Sequence, residues 1–382
     1  MSPEGRIDIR ITLAADMPAR VAVISSRPQL AQKLMAGRMP DDAIQLAGRI
    51  FSLCGRAQGL AARLACDAAA NLPSNLIEAG PVWSELAAEH AWRLLLHWPQ
   101  QHGQTPDMEA LLSLRRTPVA TLPAQLEDLL AQRLLGEAAQ DWLRRDLAGF
   151  DAWRAAGKTQ VARLFAALGD GPDAGACALP LLADLGADDI LSIARQALAE
   201  PAFCARPVWQ GRPAETGAIA RVHRHPMLAE WLQRRGRGNG ARLLARLIEL
   251  AQMPARFSSQ SAGRPGIDLP PLEGGTEPSA EPETRIIHHD AGVAHAWRLA
   301  QDSAVAAVET SRGLLLHVVR MQAGRIAEYR IVAPTEWNFH PQGPLVAALQ
   351  ALPVDEDLPE RARQVALALD PCVDYGLEVV DA

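Results

Sequence analysis

Cysteine is scarce in this sequence of 382 residues, which contains only five. The thiols are odd in number and widely spaced, so they imply no disulfide framework and favour a reducing compartment. The first residues lack the apolar core of a signal peptide, and no apolar run approaches the roughly eighteen residues of a membrane-spanning helix. We therefore expect a cytoplasmic protein with no membrane partner. The cysteines are Cys54, Cys66, Cys177, Cys204 and Cys372.

Neither sign of charge is in large excess, because 38 basic and 44 acidic residues leave a net charge of -6. Phosphate backbones are bound by basic faces, so the composition argues against nucleic acid as the main partner. The short basic cluster at 234–237 is interpreted as a solvated helix end. With 48% hydrophobic and 21% charged residues, the composition is that of a globular protein.

The common catalytic motifs are also absent. The sequence contains no Gly-x-Ser-x-Gly elbow, no His-Glu-x-x-His zinc helix and no glycine-rich phosphate loop. The histidine pairs at 223 and 225 and at 288 and 289 lack companions at the spacing of zinc ligands. We interpret these histidines as surface or packed residues.

Abundant alanine, leucine and arginine favour helix over sheet, so the predicted fold class is mainly α with a minor β part. Residues 1–253 are predicted to form an N-terminal β-hairpin, where apolar and polar residues alternate over 6–24, and then a helical body carrying Cys54. Residues 254–284 are rich in Pro, Gly, Ser and Glu and are predicted to be a flexible linker.

The last part of the chain, residues 285–382, is predicted to pack back on the body and to carry Cys372. It should contain a short β-hairpin over 313–332, with a turn at 322–324. Proline disfavours helix in the residue before it, so Asp370 should end a helix and present Cys372 on an ordered turn. The alternative is that Cys372 is a buried small hydrophobe, as free cysteines usually are.

Several segments, in order, resemble motifs of [NiFe]-hydrogenase large subunits. Residues 49–61 (RIFSLCGRAQGLA) resemble Arg-Ile-Cys-Gly-x-Cys-x-x-x-His-x-x-Ala, and residues 309–317 (ETSRGLLLH) resemble Glu-Ala-Pro-Arg-Gly-Ala-Leu-x-His. Asp370, Pro371 and Cys372 match the start of the terminal Asp-Pro-Cys-x-x-Cys-x-x-His. Further similar segments are 37–43 (GRMPDDA), 324–329 (GRIAEY), 334–338 (PTEWN) and, loosely, 215–221 (ETGAIAR). The resemblance implies a multihelical body like that of the large subunit.

The departures from these motifs concern the metal ligands. The family holds nickel with four cysteines, two of which bridge to an iron that carries CO and two cyanides. In this sequence, the N-terminal pair becomes Phe51 and Cys54, and the C-terminal pair becomes Cys372 and Tyr375. Two thiolates cannot form the four-sulfur nickel site, so we expect no nickel.

The motif histidines are replaced as well, by Gln58 and Glu378. The glutamate that relays protons in the family falls, by ungapped counting back from residues 37–38, at Gln32. A neutral amide cannot take up and release a proton at ordinary pH. We therefore expect no hydrogen turnover and no enzymatic activity.

A hydrogenase-like body with half its cysteines missing is similar to the HupK/HoxV group of hydrogenase expression and formation proteins. That resemblance implies help in assembling the Fe(CN)2CO unit, held transiently by Cys54 and Cys372. Arg312 matches the family arginine beside the cyanides, and a guanidinium suits an anionic iron unit. Gln58 and Tyr375 are expected to be further contacts of this unit.

The implied partners are a HypC-type maturation chaperone, the Hyp assembly complex and the hydrogenase large-subunit precursor. Two alternatives stay open. One is a metal-free chaperone that binds maturation proteins by mimicking the large subunit, with Cys54 and Cys372 as inherited buried thiols. The other is an enzyme with an altered two-thiolate site.

Overall fold

The computed structural model describes residues 5–14, 17–51, 53–72, 79–169, 171, 173–261, 287–289 and 293–381. Its strands are β1 (Ile7–Ala14), β2 (Met17–Ser25), β3 (Ile287–His289), β4 (Ala294–Ala300), β5 (Ser303–Thr310), β6 (Gly313–Gln322), β7 (Arg325–Val332) and β8 (Tyr375–Asp381).

Helices make up most of the described chain. They are α1 (Ala31–Met35), α2 (Pro40–Ile50), α3 (Gly55–Ala69), α4 (Gly80–Trp92), α5 (Trp98–Gln101), α6 (Met108–Arg116), α7 (Leu122–Leu129), α8 (Ala139–Leu143), α9 (Leu147–Ala156), α10 (Gln160–Ala167), α11 (Ala187–Ala199), α12 (Ala218–Val222), α13 (Pro226–Arg235), α14 (Asn239–Ser261), α15 (Pro334–Asn338), α16 (Pro344–Gln350) and α17 (Leu358–Leu369). Short π-helical segments follow α4 and α7. The predicted fold class, mainly α with small sheets, is confirmed.

The first sheet joins the two ends of the described chain, in the strand order β2-β1-β8. Strands β1 and β2 form the predicted antiparallel hairpin. Apolar and polar residues alternate along β1 because one face of the strand is buried. Ile7, Ile9 and Ile11 point inward from that face and pack with residues of α16 and α17. Strand β8, which the sequence analysis did not predict, pairs with β1 in parallel.

The second sheet has the order β3-β4-β5-β6-β7, with every neighbouring pair antiparallel. The predicted hairpin is β6–β7, closed by Ala323 and Gly324, both in the left-handed region with φ of 50° and 73°. Strands β4 and β5 were not predicted. Nearly every residue of β5 is buried, so its sequence lacks the alternation that marks a one-sided strand.

Helix α14 lies at the centre of the helical body, and its apolar residues are buried on several faces. It continues to Ser261, eight residues into the predicted linker, so that prediction placed the end of the body too early. Pro254 lies inside the helix at the cost of one backbone hydrogen bond, and burial of Met253 and Phe257 beside it offsets that cost. The remainder of the predicted linker, residues 262–284, lies outside the described residues.

Helix α3 connects the body to the second sheet, because it packs against β4, β5 and β6. One apolar core contains residues of both, such as Leu64 of α3 and Leu315 of β6. The helix that begins directly after Cys54 is therefore held in place by the C-terminal part of the chain.

Candidate functional site where the chain ends meet

Cys54 is the residue that immediately precedes helix α3. The turn from α2 to α3 is tight, since a Cβ on Gly55 would lie 2.7 Å from the carbonyl oxygen of Gly48. Glu85 stabilises the start of α3, accepting hydrogen bonds from the backbone N–H groups of Arg56 and Ala57 at 2.8 and 3.2 Å. Burial raises the pKa of Glu85 to about 7. Cys54 is thus a half-buried thiol on a rigid helix start.

Cys372 follows helix α17, which ends at Leu369. Asp370 adopts the left-handed conformation, with φ of 58°, and ends the helix as the proline after it predicted. The Thr335 hydroxyl accepts a hydrogen bond from the Cys372 backbone N–H at 3.3 Å and donates to its Sγ at 3.1 Å. Helix α15 therefore fixes the second half-buried thiol.

The two thiols lie close enough to influence each other electrostatically, although 318 positions separate them in the numbering. Burial, and then the neighbouring Cys372, raise the pKa of Cys54 to about 12. Cys54 therefore holds its proton at neutral pH. A metal cation that bound there would have to displace that proton and supply the missing positive charge.

Arg312, the cation among the predicted site residues, lies within electrostatic range of both thiols. Its side chain is 4% exposed, and its Nη2 donates to Glu89 Oε2 at 2.9 Å. Nε lies 3.3 Å from Asp370 Oδ1, yet it makes no well-aligned hydrogen bond with any described residue. Burial opposes the charged form, but Asp370, Glu89 and the two thiols raise the pKa of Arg312, which stays a cation.

Two further arginines lie close to the carboxylate of Asp370. It forms an ion pair with Arg93, and Arg246 Nη2 lies 3.7 Å from its Oδ2. Burial favours the neutral acid, but Arg312, Arg93 and Arg246 hold the pKa of Asp370 well below its usual range. These three buried cations outnumber the two carboxylates that pair with them, Asp370 and Glu89, which leaves positive potential near the thiols.

Gln58 lies next to Cys54 in a chain of buried hydrogen bonds. Its Nε2 donates to Cys54 Sγ at 3.6 Å, and its Oε1 lies 2.8 Å from His317 Nε2. His317 Nδ1 lies 2.7 Å from the hydroxyl of Tyr329. Burial lowers the pKa of His317 to about 3, so it is neutral and carries one proton. With that proton on Nε2, every group in the chain from Tyr329 to the Cys54 sulfur has a partner.

Three other predicted or substituted residues make no hydrogen bond to either sulfur among the described residues. Tyr375 begins β8 and packs with the first sheet, and its hydroxyl makes no hydrogen bond to either thiol in the described chain. Gln32 binds strand β7, donating to Ala327 O at 3.1 Å and accepting from Tyr329 N at 2.8 Å. Glu378 is exposed on β8 and pairs with Arg10.

Sequence reasoning missed Arg27, Thr335 and Glu336 as site residues. Arg27 Nη1 donates to Glu336 Oε1 at 2.7 Å, and the guanidinium interacts electrostatically with both thiols. Thr335 and Glu336 lie in the segment that resembles a family motif, which was a usable signal. Arg27 lies outside every motif, so only the tertiary structure could identify it.

Cys66, Cys177 and Cys204 are buried small residues. Burial raises the pKa of Cys66 to about 12 and that of Cys204 to about 11. Across the described ranges, no cluster of three or more His, Cys, Asp or Glu side chains is arranged to hold a metal ion. Among those same residues, no helix combines the length and apolar character needed to cross a membrane.

Comparison with known proteins agrees with the motifs. The hydrogenase expression/formation protein HoxV of Cupriavidus necator is 31% identical, over 94% of this chain and 93% of its own length. HupK of Rhizobium leguminosarum bv. viciae is 32% identical, over 99% of this chain and 97% of its own. The chain belongs to the HupK/HoxV family of hydrogenase expression/formation proteins.

The HupK/HoxV chain also carries hydrogenase features at the level of sequence and fold. Residues 278–375 match the family described as nickel-dependent hydrogenase. The Ni-Fe-Se hydrogenase from Desulfomicrobium baculatum superimposes with a TM-score of 0.57, over 94% of this chain and 95% of that one. At 15% identity this likeness shows the fold alone.

Proposed function

We propose that this HupK/HoxV family member assists the assembly of [NiFe] hydrogenase and transiently carries the Fe(CN)2CO unit on Cys54 and Cys372. The observation that supports this most is that two thiols from distant parts of the chain lie within electrostatic range of each other and of Arg312. The iron unit is a cargo here, received from the assembly machinery and handed to the large-subunit precursor.

The surroundings of the two sulfurs suit such a cargo. Each sulfur accepts one hydrogen bond, from Gln58 at Cys54 and from Thr335 at Cys372, and a metal-bound thiolate keeps that acceptor capacity. Iron binding would release the two thiol protons. The positive charge of the metal would then compensate for the cost of ionising two thiols in a poorly hydrated site. Arg312 Nε, which lacks a well-aligned partner among the described residues, is available as a donor to an anionic ligand.

A carrier must also release what it holds, and two thiolates favour release over a set of four. Phe51 and Tyr375 occupy the positions that resemble the other two cysteines, so the chain offers no four-sulfur nickel site. We propose accordingly that the protein binds no nickel and turns over no hydrogen. Its proposed partners are a HypC-type chaperone, the Hyp assembly complex and the large-subunit precursor, which rest on the family membership and the large-subunit-like fold.

Infrared spectroscopy tests the cargo directly, because CO and cyanide bound to iron absorb where proteins do not. The full chain, produced with the maturation machinery and purified without oxygen, should show CO and cyanide bands and contain iron. Cys54→Ala and Cys372→Ala should each lose both signals. Cys66→Ala is the matched control, since it removes a fully buried thiol twelve positions further along the chain and should keep them. A wild-type protein without these bands, or cysteine variants that fully support hydrogenase maturation, would contradict the proposal.

A second candidate function is a metal-free chaperone that binds maturation proteins through its resemblance to the large subunit. The observation that favours it is the extent of that resemblance, which spans 94% of the chain. Capture of a HypC-type partner by the Cys54→Ala/Cys372→Ala double variant would support it if the wild type carried no iron. Loss of capture in the same variant would favour the iron carrier.

A further inference from the structure

A cleft of about 250 Å³ lies between the end of β2, the segment after it, and helix α15. Its walls include Val23, Arg27, Thr335 and Glu336. Because Thr335 donates to the Cys372 sulfur, this Arg27 cleft reaches the residue that directly contacts the thiol.

Arg27 presents unused hydrogen-bond donors in the Arg27 cleft. Its side chain is 12% exposed, and Nη1 to Glu336 Oε1 is the single hydrogen bond that its guanidinium makes with a described residue. A guanidinium has five N–H donors, so several are left for a ligand. Burial disfavours the charged form of Arg27, but Glu336, Cys372 and Cys54 raise its pKa, so the guanidinium stays charged. This cation lies within electrostatic range of both sulfurs.

Charge distinguishes the Arg27 cleft from a second cleft on the Cys54 side. The charged walls of the Arg27 cleft are Arg27, Arg206 and Glu336, with one net positive charge. The second cleft, lined by Leu53 and Trp92 among others, carries two arginines and two glutamates, so its charges balance when both glutamates are ionised. An anionic ligand is therefore favoured on the Arg27 side.

The proposed cargo is such an anion. Ferrous iron with two cyanides is neutral, and two thiolate ligands make the assembly a dianion. A half-buried dianion needs more than one cation near it. Arg312 is already shared with Asp370 and Glu89, whereas Arg27 has one carboxylate partner.

We propose that Arg27 is a second anion contact of the thiol site, which binds the face of the iron unit turned toward the Arg27 cleft, with Glu336 holding its guanidinium in place. This inference rests on the proposed function. It adds that cargo retention depends on the Arg27 cation itself rather than on the Arg27–Glu336 pair.

The test uses the full chain purified from cells that express the maturation machinery, with iron content and infrared bands as readouts. Arg27→Gln and the double variant Arg27→Gln/Glu336→Gln remove the cation, and the double variant leaves no unpaired buried carboxylate. Glu336→Gln keeps the cation, and Arg27→Lys keeps the charge without the planar fork. Arg206→Gln removes an exposed arginine from the wall of the same cleft and is the matched control.

We expect Arg27→Gln and the double variant to retain roughly tenfold less iron, the effect of losing one charged hydrogen-bonded contact. Glu336→Gln should retain more iron than Arg27→Gln but less than the wild type, because the cation remains while its anchor is lost. Arg206→Gln should retain iron close to the wild-type level, because solvent screens its exposed charge. Arg27→Lys should retain iron with shifted cyanide bands, a change that a merely structural role would not produce. A double variant with wild-type iron content and unshifted bands would overturn the inference. Absence of bands from the wild type would instead refute the cargo proposal, and the inference with it.

Discussion

At the scale of single residues, the site is dominated by buried charge. Asp370 is 1% exposed and is surrounded by Arg93, Arg246 and Arg312. Burying a carboxylate is costly unless cations and hydrogen bonds compensate, and the same holds for each guanidinium. Asp370 therefore does two things, since it ends helix α17 before Cys372 and neutralises part of the charge that surrounds the thiols.

Replacing Asp370 with Asn should lower the free energy of unfolding by about 3–5 kcal/mol, because three buried arginines would lose their shared counter-charge. Urea unfolding at pH 7 measures this cost. Asp184→Asn is the control, since Asp184 is half-exposed and pairs with the exposed Arg224 at the surface. Its cost should stay within about 1 kcal/mol. Equal costs for the two variants would show that the buried cluster adds nothing to stability.

At the scale of elements, three segments that resemble family motifs meet at one point behind Arg312. Asn338 of α15 binds both backbone groups of Thr216, with its Oδ1 accepting at 3.0 Å and its Nδ2 donating at 3.1 Å. The Thr216 hydroxyl accepts from Leu314 N at 2.9 Å, at the start of β6. Position 313 has φ of 127°, where a Cβ would lie 2.4 Å from Thr216 Oγ1. Arg312 is thus positioned by backbone contacts that only a glycine at 313 permits.

Gly313→Ala should cost about 2–5 kcal/mol, because it adds a clash to a backbone conformation that L residues avoid. The variant should also carry less iron, since the turn that presents Arg312 must shift. Gly324→Ala separates the two causes, because position 324 is also left-handed but a Cβ there meets nothing within 4 Å. Its expected cost is about 1–2 kcal/mol, without loss of iron. Thermal unfolding of both variants measures the cost in stability, and iron analysis measures whether Gly313→Ala alone loses iron.

At the scale of the whole molecule, the C-terminal strand β8 joins the two ends of the described chain in one sheet. Strand β8 pairs along β1 from Ile7 with Tyr375 to Leu13 with Asp381. The same strand starts three residues after Cys372, so the sheet also restrains the turn that carries this thiol. Without β8, strand β1 would have an unpaired edge, which invites association with other chains.

A chain that stops at Asp374 should unfold at a lower denaturant concentration and self-associate. It should also lose the CO and cyanide bands although both thiols are present, because the turn that carries Cys372 would lose the restraint of the sheet. Glu378→Gln is the control, since it removes only the exposed pair with Arg10 and leaves the strand intact. A truncated chain that remains monomeric, stable and iron-loaded would show that β8 does not position the site.

Local chemistry determined the features that sequence alone could predict. Alternating isoleucines mark β1, the residue before Pro371 ends α17, and the pattern of kept and lost cysteines identifies the family. Each of these depends on neighbours within a few positions or on motif order. Strand β5 could not be recognised in this way because burial on both faces removes the alternation that marks a strand.

Only the tertiary structure decided how those parts combine. It places Cys54 and Cys372 within electrostatic range of each other, pairs β8 with β1, and puts Arg27 within electrostatic range of both sulfurs although no motif contains it. It also packs Tyr375 against the core of the first sheet and leaves Glu378 exposed at the surface. The physical reason is that these contacts join residues hundreds of positions apart. Their energies come from shared burial and from charges that meet only after folding, and neither leaves a local pattern in the sequence.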